Sequence, residues 1–283
     1  MVSASKFPAF WKVPFLDLAS SVWAMPKEEW ISDSPSLKDI AVLEKEAGGI
    51  SNIDDTNLRA QMIQKWKRHD GGVELFVNEL PGRTRVLFLG TKEQRNMVPW
   101  AFWGRIFQAI GHPVSYTLLY AHPSLRDFPK SNKVTIGPSN INAGYSFLCK
   151  QDIVVIYRFE ESTRVLLHEL LHTACFDFDK ETVDLETNTE AWTEVLLCAL
   201  LSRGSLKDFD FLWNQQTAWI QSQTRVLQTR WNVRGPSDYA WRYMVGKEKV
   251  LREKGFLESS NVFVTNVGLR FTTPEWDSFL YEN

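Results

Sequence analysis

The stretch VLLHELLHTACFDFD, residues 165–179, places His168 and His172 four positions apart on either side of Glu169. At 3.6 residues per turn, the two histidines project from one side of a helix, one turn apart, and can reach a single metal ion. The apolar residues that would hold such a helix against a sheet are Val165, Leu166, Leu170 and Leu171. The stretch therefore predicts either a zinc-binding helix or a leucine-rich core helix whose two histidines bind no metal.

Zinc chemistry adds two requirements. A catalytic zinc takes three protein ligands and keeps one position for water. Glu169 stands beside the first histidine, where its carboxylate can accept a proton from a coordinated water without ligating the metal. None of the five histidines follows His172, which excludes the classes of zinc peptidase whose third ligand is a later histidine.

A second helix-periodic segment, DLETNTEAWTEVLLCALL at residues 184–201, carries Glu186, Glu190 and Glu194 at intervals of four. Three carboxylates on one helix face repel one another unless a positive charge faces them, and a zinc ion would supply that charge. We predict Glu190 as the third ligand and Glu194 as the acceptor of a hydrogen bond from a ligand histidine. Glu186 and Glu194 remain alternative ligands, and a solvated acidic face is the alternative explanation of the whole pattern.

HELLH followed by NTEAWTE resembles the gluzincin branch of zinc metallopeptidases, the thermolysin-like class, over about residues 152–200. The resemblance implies a zincin-like fold, a Zn²⁺ cofactor and hydrolysis of a peptide or protein substrate. It assigns His168, His172 and Glu190 to the ligands, Glu169 to the general base and Glu194 to the support of the site. The linker between the two motifs is slightly shorter than in thermolysin-like enzymes, which keeps the choice among the three glutamates open.

A second resemblance covers more of the chain. SYTLLYAHPSLRDFP at 115–129, GPSNINAGYSF at 137–147 and the segment from Ile153 through the HELLH motif are similar to uncharacterised HExxH proteins of large nucleocytoplasmic DNA viruses. This resemblance implies a cytoplasmic or virion-associated viral protein.

The order of strand-like runs and helix-periodic segments along the chain predicts an α+β fold. In this fold a mixed β-sheet and the active-site helix occupy the N-terminal half, and the C-terminal half is mainly helical. Residues 1–72 form a helical N-terminal region without a functional assignment, and residues 73–160 a subdomain containing the sheet. Residues 161–283 hold the metal-site helix and the helical subdomain, and make one compact catalytic unit with 73–160. Strands are predicted in runs that include residues 73–77, 85–89, 114–121, 133–136, 145–148, 152–159 and 262–266.

Composition limits the class of partner. A net charge of −2, from 32 basic and 34 acidic residues, gives no field that would attract nucleic acid or a membrane surface. Cys149, Cys175 and Cys198 are widely spaced, which predicts three buried thiols in a reducing compartment. No segment reaches the roughly 18 uninterrupted apolar residues of a membrane-spanning helix, so we expect a soluble, cytoplasmic protein. The sequence does not determine the oligomeric state.

Peptide hydrolysis would need a donor for the oxyanion besides zinc. Tyr239 and Tyr243, on a late predicted helix, are the candidates, with Asn142 as a further one, although NINAG around Asn142 could equally form a turn. An extended substrate would pair with a strand that precedes the metal helix, either DIVVIYRF at 152–159 or the NINAGYSF segment at 140–147.

Three functions from different classes follow. The first is a zinc-dependent peptidase with Glu169 as general base. The second is a catalytically inactive zincin-fold protein that serves binding or virion assembly. The third is a metal-free helical protein in which the histidines are packed or solvated.

Overall fold

The computed structural model describes residues 7–49, 52–176, 182–258 and 263–281. The chain divides into two compact units. A sheet unit comprises Lys27–Leu125 and Asn142–Phe176, and a helical unit comprises the described residues of Met1–Pro26, Arg126–Ile141 and Asp177–Asn283. In this division the HELLH helix belongs with the sheet, whereas the sequence-based division placed it with the later helices.

The sheet unit is built on six strands in the order β1-β2-β3-β4-β6-β5. The strands are β1 (Ile31–Asp33), β2 (Glu74–Leu80), β3 (Thr84–Gly90), β4 (Tyr116–Tyr120), β5 (Gly144–Ser146) and β6 (Ile153–Ile156). The pairs β3–β4 and β4–β6 are parallel, whereas β1–β2, β2–β3 and β5–β6 are antiparallel. The sheet is therefore mixed, with a parallel centre and antiparallel strands on both sides, as predicted for the N-terminal half.

Helices cover the sheet because its central strands are apolar on both faces. The helices of this unit are α2 (Leu37–Gly48), α3 (Leu58–Lys67), α4 (Lys92–Asn96), α5 (Trp100–Ile110) and α7 (Ser162–Thr173). Leu43 of α2 and Met62 of α3 share a buried cluster with Leu87, Leu118 and Val155 of the strands. This part of the predicted N-terminal region, residues 37–67, thus covers one face of the sheet.

The helical unit contains α1 (Ala9–Ala24), α6 (Pro138–Ile141), α8 (Thr182–Ser202), α9 (Leu206–Arg230) and α10 (Gly246–Glu253). A π-helical turn at Trp241–Val245 leads into α10, and a 3₁₀ helix follows at Pro274–Leu280. Helix α8 packs against α1, α9 and α10. The predicted concentration of helices in the C-terminal half is confirmed.

Two predicted strands differ from the structure. Residues 133–136 form a loop, in which Ile136 is buried in an apolar cluster of the helical unit. Residues 263–266 are also irregular and exposed, and residue 262 lies outside the described part of the chain. β-Branched and aromatic residues favour a strand only where a neighbouring strand is present to pair with them, so local pattern overestimated the sheet. Among the helices described here, none combines the length and apolarity needed to cross a bilayer.

Candidate metal centre

The two motif histidines meet on helix α7. His168 and His172 are both buried, at 6% and 8% exposure. Their Nε2 atoms are 3.1 Å apart, and the two rings are nearly perpendicular, at 86°. Two nitrogen ligands at about 2.0–2.1 Å from a tetrahedral zinc would be about 3.3 Å apart. The imidazoles thus have the spacing of two ligands of one ion, and their chemistry fits zinc.

Helix α7 is fixed along its length. All of its residues are buried, including the four predicted apolar contacts, and it packs on β5, β6 and α5. The N-cap residue of α7 is Glu161, which has a left-handed backbone conformation and whose side chain makes no capping hydrogen bond. In the first turn of the helix, Thr163 accepts a hydrogen bond from the indole of Trp103 at 2.9 Å. Rigid packing on both sides of the helix therefore holds the histidines in place.

A disulfide fastens the end of α7, which contradicts the prediction of three thiols. Cys149 and Cys175 are bonded, while Cys198 is a free, buried cysteine as expected. The backbone N–H groups of Cys149 and Cys175 both donate to the carbonyl of His172, at 3.0 and 3.2 Å. The pair is not apparent from the sequence, because Cys149 and Cys175 are 26 positions apart. The loop between β5 and β6 brings Cys149 to the end of α7.

Glu169 lies on the same helix and is 5% exposed. The hydroxyl of Ser146 lies 2.9 Å from its Oε2 and 3.0 Å from its carbonyl oxygen. Ser146 was not among the predicted site residues. It lies inside the predicted strand 145–148, and nothing in the sequence indicates its contact with Glu169.

The three glutamates of α8 lie in the helical unit and find different surroundings. Glu190 is buried at 2% exposure, and Glu194 is fully buried. Oε1 of Glu194 accepts a hydrogen bond from Nζ of Lys247 at 2.7 Å, and its Oε2 accepts one from Gln216 at 2.9 Å. The positive charge that faces this end of the acidic row is therefore Lys247, which the sequence analysis missed. Only tertiary structure brings α10 to α8.

Tyr239 and Tyr243 are neighbours in the helical unit, with hydroxyl oxygens 3.2 Å apart. Burial raises the pKa of Tyr243 well above its ordinary value, and the nearby Glu186 carboxylate and Tyr239 hydroxyl act in the same direction. Its phenol is protonated at neutral pH, as that of an unperturbed tyrosine also is. The tyrosine pair lies near Glu186, one of the alternative ligands.

Asn142 has a structural role. Its side-chain amide donates to the carbonyl of Ile53 at 3.2 Å, and its own carbonyl accepts from Arg158 at 2.8 Å. The first bond ties this segment to the loop after α2, and the second ties it to the residues after β6. NINAG forms the end of α6 and the start of β5 with two residues between them, which differs from the alternative prediction of a turn.

No protein-family model, curated protein or solved structure matches the chain. The functional assignment therefore depends on the residues and their geometry.

Proposed function

We propose that the protein is a zinc-dependent peptidase of the gluzincin type. The observation that supports it best is the convergence of two buried imidazole nitrogens, 3.1 Å apart, on the helix that also carries Glu169. Without a metal, the same distance would be a hydrogen bond between the two imidazoles. The alternatives are an inactive zincin-fold binding or virion assembly protein, and a protein without metal.

Helix α8 supplies the third ligand in this proposal, as the resemblance to gluzincins implies. Glu190 is the sequence-based candidate, and Glu186 is its rival. Glu194 is the weakest candidate, since Lys247 and Gln216 already engage both of its oxygens.

Zinc bound by these residues would act as a Lewis acid and lower the pKa of a coordinated water toward neutrality. Glu169 accepts the proton of the attacking water and delivers it to the leaving amine. Tyr243 or its neighbour Tyr239 would donate a hydrogen bond to the oxygen that becomes negative as the amide carbonyl is attacked.

The substrate strand is β5 in this proposal. Strand β6, which contains half of DIVVIYRF, pairs with β4 on one side and β5 on the other, so it offers no edge to a peptide. Strand β5 stands at the end of the sheet order, and among the described strands it pairs with β6 alone. An extended peptide can add to such an edge through backbone hydrogen bonds.

The metal content of protein purified without chelator tests the site. We expect one zinc per chain in the wild type and loss of stoichiometric zinc in His172→Ala. Glu186→Ala and Glu190→Ala, measured in parallel, identify the ligand, because a true ligand is needed for tight binding whereas a neighbour is not. The exposed Glu253→Ala is the matched control. A wild type that takes up no zinc, even after the metal is added back, overturns the proposal.

Hydrolysis of a peptide library separates the peptidase from the binding protein. Removal of the general base in Glu169→Gln should slow hydrolysis by about 10²- to 10⁴-fold while zinc content stays unchanged. A zinc-loaded wild type that cleaves no peptide, or a Glu169→Gln variant as active as the wild type, contradicts the peptidase assignment.

A further inference from the structure

The short strand β5 runs directly beside the proposed general base. Within β5, Gly144 pairs with Ile156 of β6 and Ser146 pairs with Val154. The hydroxyl of Ser146 lies 2.9 Å from Oε2 of Glu169 and 3.0 Å from its carbonyl oxygen. One hydroxyl therefore engages both the side chain and the backbone of the same residue.

Gly144 lets β5 lie close to α7. A Cβ at this position would lie 2.5 Å from Cγ1 of Val165 and 2.7 Å from the carbonyl oxygen of Val155, so no other residue fits without displacing its neighbours. The same Cβ would be 3.5 Å from Oε1 of Glu169. The strand thus approaches α7 closely at Gly144, and at Ser146 it presents a hydrogen-bonding side chain to Oε2.

The residue between them holds β5 from the opposite face. Tyr145 is buried in the cluster shared with α2 and α3. Its hydroxyl bonds to Arg59 and Glu46, and the Arg59 guanidinium, 5.1 Å from the ring centroid, is itself paired with Asp54 at 3.0 Å. Because β5 is anchored on this face, Ser146 is a fixed point for Glu169.

We propose that Ser146 is a positioning residue for the general base: its hydroxyl donates to Oε2 of Glu169 and fixes the orientation of the carboxylate that receives the proton. A glutamate side chain has several rotatable bonds, and loss of one fixed oxygen would let the carboxylate adopt other orientations. This inference rests on the proposed zinc site. Ser146 acts through Glu169 and does not itself meet the substrate.

Binding of acetohydroxamate to the cobalt(II)-loaded protein tests this role without a known substrate. A hydroxamate chelates the metal through two oxygens and places a proton on an adjacent base, so its affinity reports the orientation of Glu169. Visible absorption of cobalt gives both metal stoichiometry and hydroxamate affinity. The variants are Ser146→Ala, Glu169→Gln and the double variant, with the exposed Ser131→Ala as control.

We expect Ser146→Ala to bind cobalt fully and to weaken hydroxamate binding by about 10-fold, as for a lost hydrogen bond to a charged group. Glu169→Gln should weaken it further, and the double variant should match Glu169→Gln within about 2-fold, because Ser146 works through that carboxylate. The pair Ser146→Thr and Ser146→Val, whose side chains differ from each other only by the hydroxyl, repeats the test should the alanine variant not fold. The threonine variant should retain the wild-type affinity and the valine variant should lose it.

Equal hydroxamate affinity in Ser146→Ala and wild type, or in the Ser146→Thr and Ser146→Val variants, overturns the inference. Additive losses in the double variant also overturn it, since they would show that Ser146 acts independently of Glu169. A wild type that binds neither cobalt nor zinc is a different result, because it removes the zinc site itself.

Discussion

Helices α7 and α8 both carry acidic or metal-binding side chains into buried surroundings, but they are held in different ways. Helix α7 is fixed by packing on β5, β6 and α5, by the hydroxyl of Ser146 and by a disulfide at its end. Helix α8 is fixed at Glu194 by a fully buried ion pair with Lys247. The comparison teaches that a local spacing such as HExxH defines its own geometry, whereas a row of glutamates depends on partners from elsewhere in the chain.

Glu194 shows this dependence most directly. Its spacing from Glu186 and Glu190 predicts a shared helix face but not a shared partner. In the fold, Gly246 lets α10 approach α8 so closely that a Cβ there would lie 2.4 Å from Cγ2 of Thr187. The next residue, Lys247, then reaches Glu194. One end of the acidic row is therefore neutralised by the protein itself.

The largest expected effect on stability tests the ion pair of α8. Lys247→Met leaves the charge of Glu194 buried without its cation, and breaking such a pair costs about 3–5 kcal/mol of unfolding free energy. Urea denaturation of the metal-free protein measures it. Lys247→Met combined with Glu194→Leu should recover much of the loss, because both charges are then gone. The exposed Lys249→Met is the control.

A Lys247→Met variant as stable as the wild type would contradict this prediction, since it would show that the position of α8 does not depend on the ion pair.

The disulfide at the end of α7 should contribute the next largest effect. It joins residues 26 positions apart, and a loop of that size corresponds to about 3.5 kcal/mol in the chain-entropy description. Cys149→Ser and Cys175→Ser should each lower the unfolding free energy by that amount, and wild type kept reduced should match them. Cys198→Ser, which removes the free thiol and leaves the disulfide, is the control and should lose stability on reduction as the wild type does.

Equal unfolding free energies for oxidised and reduced wild type would show that α7 does not depend on the bond.

The smallest effect concerns an ion pair that is only partly buried, in the sheet unit. Arg85 donates to both oxygens of Asp39 at 2.9 Å, and it also contacts Asp33 and Glu79. Burial raises the pKa of Asp39, but hydrogen bonds from Arg85 and Ser36 outweigh it and lower the pKa to about 2, from an ordinary 3.8. Because the pKa is lower in the folded state, ionised Asp39 stabilises the fold above pH 3.8, and this stability is lost as the pH falls toward 2.

Asp39→Asn should therefore be less stable than wild type at neutral pH, with a difference that shrinks as the pH falls from 3.8 toward 2. Urea denaturation at several pH values, with the exposed Asp70→Asn as control, measures the difference. A difference that is constant with pH would show that the carboxylate charge of Asp39 contributes nothing.

Much of the fold follows from pattern alone. The central strands were predictable because continuous apolar runs such as Ile153–Ile156 are typical of parallel strands buried on both faces. The helices after residue 160 were predictable from their period. The segment at 133–136 was not, because burial of Ile136 in a loop imposes the same apolar pattern as burial in a strand.

Within the candidate site, the sequence by itself determined what lies one helical turn apart: His168, Glu169 and His172 on α7, and the shared face of Glu186, Glu190 and Glu194 on α8. The geometry of a helix fixes such relations between neighbours. Tertiary structure alone decided that Ser146 meets Glu169, that Cys149 meets Cys175 and that Lys247 meets Glu194. These contacts join residues 23, 26 and 53 positions apart. No local propensity encodes them, because they form only when whole elements pack together.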